Sequence, residues 1–219
     1  MLFSFAFNKT GYRGQAITAQ GKAVRQGKVF DAADFSKLLG RRTVTEEAYE
    51  GVPLAELANV PRANVLTSVV REIDTSLHPH ARIEDAVPGT CTNGSKRGQN
   101  MAPYDWQRDG VRVACKSAQL KWNVSTRLWR VQFNNIKPAG AEGDFDELLL
   151  ALYTPRGVYV YRHDLRLGMT TSGKATEATG RTINVYGPCG EESWQSALDG
   201  AILPKLDESG CEHVAEVRW

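Results

Sequence analysis

Asp105 and Lys116, separated by a tight turn, are the residues in this chain best spaced to do chemistry. The run APYDWQRDGVRVACKSAQLKW, from Ala102 to Trp122, ends an alternation of Val111, Val113 and Cys115 on Lys116 with no acid beside it. Burying such an ammonium without a close partner costs roughly several kcal/mol, so a negative group is expected nearby. Asp109-Gly110 is a two-residue hairpin signal, because both central positions of the favoured turn need positive φ. A hairpin closed there sets Arg108 opposite Val111, Trp106 opposite Val113 and Asp105 opposite Ala114. Opposed side chains share one face about 5 Å apart, so Asp105, position 114 and Lys116 cluster while Val111, Val113 and Cys115 face the core. Such a cluster is what metal-dependent phosphodiester cleavage requires. Mg²⁺ takes oxygen ligands, two carboxylates on neighbouring strands can hold it, and a lysine beside them can activate the attacking water and neutralise phosphate charge. Alanine at 114 withholds one of those carboxylates. The plain alternative is a structural ion pair between Asp105 and Lys116.

The flanking composition fits a phosphate partner. Residues 94–137 hold nine Lys and Arg (Lys96, Arg97, Arg108, Arg112, Lys116, Lys121, Arg127, Arg130, Lys137) against two acids, whereas the whole 219-residue chain carries only +2. Trp106, Trp122 and Trp129 fall in the same segment, the basic and aromatic mixture found where a nucleic-acid backbone is gripped. A solvated basic face is the competing explanation, and core packing competes with base stacking for Trp122 and Trp129. Hydrophobic content of 42% with 24% charged residues is that of an ordinary folded protein. No apolar run approaches the ~20 residues of a membrane span, and MLFSFAF is short and lacks a basic lead-in. An intracellular protein is expected, in cytoplasm or nucleoid, or in the nucleus of a eukaryote, with no membrane partner. Cys91, Cys115, Cys189 and Cys211 have no close paired spacing, so neither a disulfide framework nor a zinc knuckle is indicated.

The elements that must position these residues run from helices to sheet. Thr18 to Gly40 reads as a helix whose apolar stripe (Val24, Phe35, Leu38, Leu39) contains Asp31, an acid facing inward. VPLAELANV reads as a short helix with Pro53 in its first turn, and RANVLTSVVREIDTSL as an amphipathic helix ending before His78-Pro79-His80. VPGTCTNGSKRGQN is an expected loop. After the hairpin, STRLWRVQF is a strand, and FDELLLALYT and VYVYRHD pair across Pro155-Arg156-Gly157, with Leu148 to Leu150 central. TTSGKATEATGRTINVYGPCG is expected to be a long polar loop, and GEESWQSALDGAIL a helix that ends the fold. The expected organisation is one domain over 1–219: a helical part to about 90, a sheet-rich core over about 100–165, and a C-terminal loop and helix over about 166–219.

Pro103-Tyr104-Asp105, a turn, and a strand ending Ala114-Cys115-Lys116 resemble the PD-(D/E)xK nuclease superfamily, whose pattern is an Asp, then an acid two residues before a Lys. CKSAQLKW resembles the segment after that lysine in restriction-endonuclease-like members. The resemblance covers roughly residues 20–165 and departs from the family at Ala114. It implies an α/β fold with a central mixed β-sheet flanked by helices, Mg²⁺ (or Mn²⁺) as cofactor, and an acid from the first helix in the site, a role that Asp31 matches. Ala114 then has three explanations: a substitution introduced to abolish cleavage, a natural residue with the acid supplied by Asp109 or Asp146, or a binding-only relative. The first is preferred, because the rest of the strand keeps the pattern.

The resulting expectation is a Mg²⁺-dependent, sequence-specific endonuclease of restriction or homing type in a cleavage-deficient form, acting on double-stranded DNA as a homodimer. Asp105 and Asp31 would ligate the metal, Lys116 would serve the water and scissile phosphate, and Gln119 would position either. DNA contacts are expected from Lys96, Arg97, Gln99, Asn100, Arg112, Ser117, Lys121, Arg127, Arg130, Lys174 and Arg181. A non-catalytic DNA-binding protein and a Holliday-junction resolvase are the alternatives.

Overall fold

The computed structural model describes residues 43–86, 104–136, 145–165, 169–171 and 181–219. The helix expected over Thr18 to Gly40, with Asp31, and the loop over 87–100 lie outside the described residues. The chain divides into two units, Met1–Thr43 and Val44–Trp219, and the following description applies to the second.

That unit has mixed α and β content. After α1 (Val44–Ala48) and α2 (Asn59–Leu77) come β1 (Ile83–Asp85), β2 (Trp106–Arg108), β3 (Val111–Gln119), β4 (Lys121–Asn123), β5 (Leu128–Ile136), β6 (Glu147–Thr154), β7 (Gly157–His163), β8 (Met169–Thr171) and β9 (Arg181–Tyr186). A helical segment follows, α3 (Trp194–Ala197), a π turn (Leu198–Ile202) and α4 (Leu203–Glu208), before the last strand, β10 (Cys211–Arg218). A six-stranded mixed sheet has the order β1-β2-β3-β6-β7-β10, in which β3 and β6 are parallel and the other neighbours antiparallel. A four-stranded antiparallel sheet, β4-β5-β9-β8, completes the fold.

The Asp-Gly hairpin forms with the register its turn dictates: Trp106 faces Val113, Gln107 faces Arg112 and Arg108 faces Val111. Asp109 (φ 48°) and Gly110 (φ 82°) take the two left-handed positions. The β3 alternation differs from expectation. Val111 is exposed at the strand's start, and Ala114 is as buried as its neighbours Val113 and Cys115. The cause is tertiary, since β3 is a central strand covered on both faces. Val113 and Cys115 pack with Trp106, Leu149 and Val160 beneath Leu66 and Val70 of α2. Ala114 and Ala118 pack on the other face with Leu148, Leu150, Trp129, Phe133 and the helical residues Leu198 and Ile202.

Three further expectations are corrected. Pro53–Leu57 forms turns instead of a helix, with Leu54 at φ 68°, while a short helix forms just before it at Val44–Ala48. The polar stretch after 165 contains paired strands β8 and β9. The chain ends on β10, not on a helix. At the β7–β10 contact, a Cβ on Gly157 would sit 2.1 Å from the Val217 carbonyl oxygen, so only glycine allows that approach. Of the two explanations weighed for the tryptophans, core packing is the one seen: Trp129 is fully buried in the core, and Trp122 packs against it edge-on at 5.8 Å.

A buried ion-pair chain ties α2 to the first sheet. Asp74, 3% exposed, accepts from the Trp106 indole at 2.8 Å and from Arg108; Arg108 also reaches Glu147 at 2.6 Å, and Glu147 accepts from Arg162 at 3.1 Å. Among the described residues no helix is long and apolar enough to cross a membrane.

Candidate functional site

The hairpin brings Asp105 beside β3, but its carboxylate is used by the backbone. One oxygen accepts the Cys115 N–H at 2.6 Å, extending the β2–β3 ladder just before β2 begins. Lys116 is half-buried and, among the described residues, forms no ion pair with Asp105 or any other acid. The acids weighed as substitutes are engaged elsewhere. Asp109 accepts the Arg82 N–H at 2.8 Å, and Asp146 is held by Arg112 through the backbone N–H and two guanidinium bonds of 3.0 and 2.8 Å, which keeps its carboxyl below the ordinary range. Ala114, 1% exposed in an apolar cluster, offers no ligand. Among the described residues Asp105 is thus the one carboxylate beside position 114, and Asp31, the other ligand expected for Mg²⁺, lies outside them. Charge on Asp105 adds to burial in pushing the Cys115 thiol up to about 12.

The better-formed site lies on the opposite side of the same strand. A cleft of about 400 Å³ opens where the first turn of α2 meets the ends of β3 and β4 and the outer face of β5. β5 puts Trp129, Val131 and Phe133 into the core by period two, which leaves Arg130, Gln132 and Asn134 on its other face. Lys121 pairs with Arg130 across the β4–β5 hairpin. Ser117 and Gln119 of β3 line the cleft together with these two cations and with Gln132 and Asn134 of β5. The third wall is Asn59 and Arg62 of α2. At the far end of β5, a bulge with Asn135 at φ 58° shifts the pairing with β9, a device that re-aims side chains.

The electrostatics are one-sided. Arg62 is 7% exposed, yet every acceptor it reaches among the described residues is neutral: the Leu57 carbonyl at 3.1 Å, Asn59 Oδ1 at 2.7 Å and Gln119 Oε1 at 2.9 Å. Its guanidinium also stands 5.3 Å over the Tyr153 ring. Tyr153 is anchored in turn by its hydroxyl on the Pro53 carbonyl at 2.7 Å. Among the described residues Lys121 Nζ hydrogen-bonds to Asn59 Oδ1 alone, at 3.5 Å, and its pKa is lowered by burial and then by repulsion from Arg62 and Arg130. Among the described residues no carboxylate lines the cleft. A buried cation without a counter-ion is costly, so what this arrangement can do is take up an anion.

Comparison with protein-family models, curated proteins and solved structures finds no match to this chain. The site therefore rests on its own geometry.

Of the residues expected to touch DNA, Ser117, Lys121 and Arg130 line the cleft, as does Gln119, which the resemblance placed in catalysis. Arg112 is committed to Asp146, Arg127 pairs with Glu192 at 3.4 Å, and Arg181 stands exposed at the start of β9. Lys96, Arg97, Gln99, Asn100, Lys174 and Asp31 lie outside the described residues. Sequence reasoning missed Arg62, Asn59, Gln132 and Asn134. The β5 alternation carried a signal for Gln132 and Asn134; Arg62 carried none, because Gln119 is 57 positions away.

Proposed function

We propose that this protein binds DNA by its phosphate backbone through the Arg62–Lys121–Arg130 cleft. The observation that carries the proposal is Arg62, a guanidinium buried among neutral acceptors with two further cations around it. A phosphate supplies the missing charge and accepts from all three. Salt dependence tests this: each phosphate contact contributes about 0.9 to the slope of log K against log salt on a duplex, and about 0.7 on a single strand. Anisotropy titrations of labelled DNA from 50 to 200 mM salt should show a linear loss of affinity in wild type and a slope lowered by about one contact in Arg130→Gln. Equal slopes for the two proteins would remove the cleft from the interface.

A second reading, the Mg²⁺-dependent endonuclease of restriction-endonuclease-like fold, is favoured by one observation: the β2–β3 register sets Asp105 next to Ala114. In that reading a carboxylate restored at 114 would join Asp105 in holding the metal. Ala114→Glu incubated with Mg²⁺ and linear, supercoiled and four-way DNA decides it. Discrete linear cuts support the nuclease, preference for four-way DNA supports a resolvase, and intact DNA with binding retained supports the binding protein.

A further inference from the structure

The chemistry of the cleft walls narrows the ligand, given the backbone-binding reading above. A site for phosphate alone needs donors only, because phosphate oxygens only accept. This cleft adds carboxamides beyond its cations: Gln119 of β3, and Gln132 and Asn134 two residues apart on β5. Each carboxamide offers both a donor and an acceptor, the mixture displayed by the edge of a nucleobase. Gln119 Oε1 is taken by Arg62, whereas Gln132 and Asn134 make no hydrogen bond to another described side chain.

Shape decides whether that base is paired. Proteins read a duplex by inserting a protruding helix or ribbon into a groove about 12 Å wide. Here the readers sit inside a depression of about 400 Å³, within the range of small-ligand pockets, and a base must come to them. The bulge at Asn135 follows directly on Asn134, one of the readers.

We infer that the cleft takes one unpaired nucleotide, its phosphate on Arg62, Lys121 and Arg130 and its base edge on Gln132 and Asn134. The natural source is a single-stranded or extruded position in DNA. A free mononucleotide carries the same chemistry.

The test compares a labelled 12-mer single strand with its blunt duplex at 0.15 M salt, on wild type, Lys121→Met and the double variant Gln132→Met/Asn134→Leu. Both residues of the double variant are surface-accessible, and its folding is checked by thermal melting. The single strand should bind wild type about tenfold tighter than the duplex, the discrimination that base-edge contacts supply. The double variant should lose that preference while keeping the salt slope, and Lys121→Met should weaken both ligands. Competition by dAMP well below the concentration of inorganic phosphate needed for the same displacement supports a nucleotide pocket, and a polymer-only effect supports the strand as its source. Equal competition by phosphate, equal affinity for strand and duplex, or a preference that survives the double variant overturns the inference while leaving backbone binding intact. Absence of all DNA binding, or wild-type binding by Lys121→Met, overturns the backbone reading itself.

Discussion

Removing the charge of Lys121 should make the protein more stable and a worse binder. Lys121 Nζ and an Arg62 Nη lie 3.5 and 2.7 Å from the same Asn59 oxygen, so the two cations are no more than about 6 Å apart. Coulomb's law gives that separation about 0.7 kcal/mol of repulsion in a water-like dielectric and about 2.7 kcal/mol at an effective value of 20. Lys121 is partly exposed, which favours the lower end, and Arg130 opposite it adds a cross-strand like-charge term. Lys121→Met keeps the apolar stem and relieves about 1 kcal/mol, a rise in Tm of about 2–4 °C for a chain of this size. The pH dependence has a fixed sign. The folded-state pKa of Lys121 is lowered, so below it both folded and unfolded chains carry the proton and the repulsion is fully present. As pH rises through that lowered pKa the folded amine loses its proton, and the Tm gap between variant and wild type closes. In the same variant, loss of one phosphate contact costs about 5- to 8-fold in DNA affinity at 0.1 M salt. Scanning calorimetry across pH 7–10 and anisotropy titration measure the two effects. A lower Tm with unchanged affinity would refute the reasoning, because it is the behaviour of an ordinary structural lysine.

Other consequences are as direct. Ala114→Glu places a carboxylate in an apolar cluster with no described partner, and chemical denaturation should show a loss of about 2–4 kcal/mol, without Mg²⁺-dependent cleavage. Asp74→Ala strips Arg108 and the Trp106 indole of a buried partner and should cost about 3–5 kcal/mol, read from the same experiment. With burial holding the Cys115 and Cys211 thiols at about 12, iodoacetamide at pH 8 should alkylate exposed Cys189 and spare those two until the protein is unfolded, as peptide mapping will show.

Local signals were legible and non-local ones were not. Asp109-Gly110 fixed a turn and with it the β2–β3 register, because positive φ at adjacent positions leaves few choices. The stripe Leu66, Val70 gave α2, and the apolar run Leu148–Leu150 gave a central strand. Ala114 could not be placed. Its burial comes from a second sheet and a helical segment contributed by residues beyond 128, which no alternation within β3 reveals. Strand β10, with Glu212, His213 and Glu216 exposed on an edge, hides the apolar pattern that would betray it. Half of the cleft was visible as basic residues on β4 and β5. The other half came from Arg62, whose meaning depends on the absence of an acid among the described residues around it, a property of the folded chain.

Lysine acylation footprinting tests the central claim most directly. With limiting acetic anhydride, Lys121, whose pKa is lowered by burial and by the cations around it, should be modified faster than Lys205, which is hydrogen-bonded to the Tyr186 carbonyl. Saturating DNA should suppress modification of Lys121 and leave Lys205 unchanged. Equal reactivity of Lys121 with and without bound DNA would contradict an anion in this cleft.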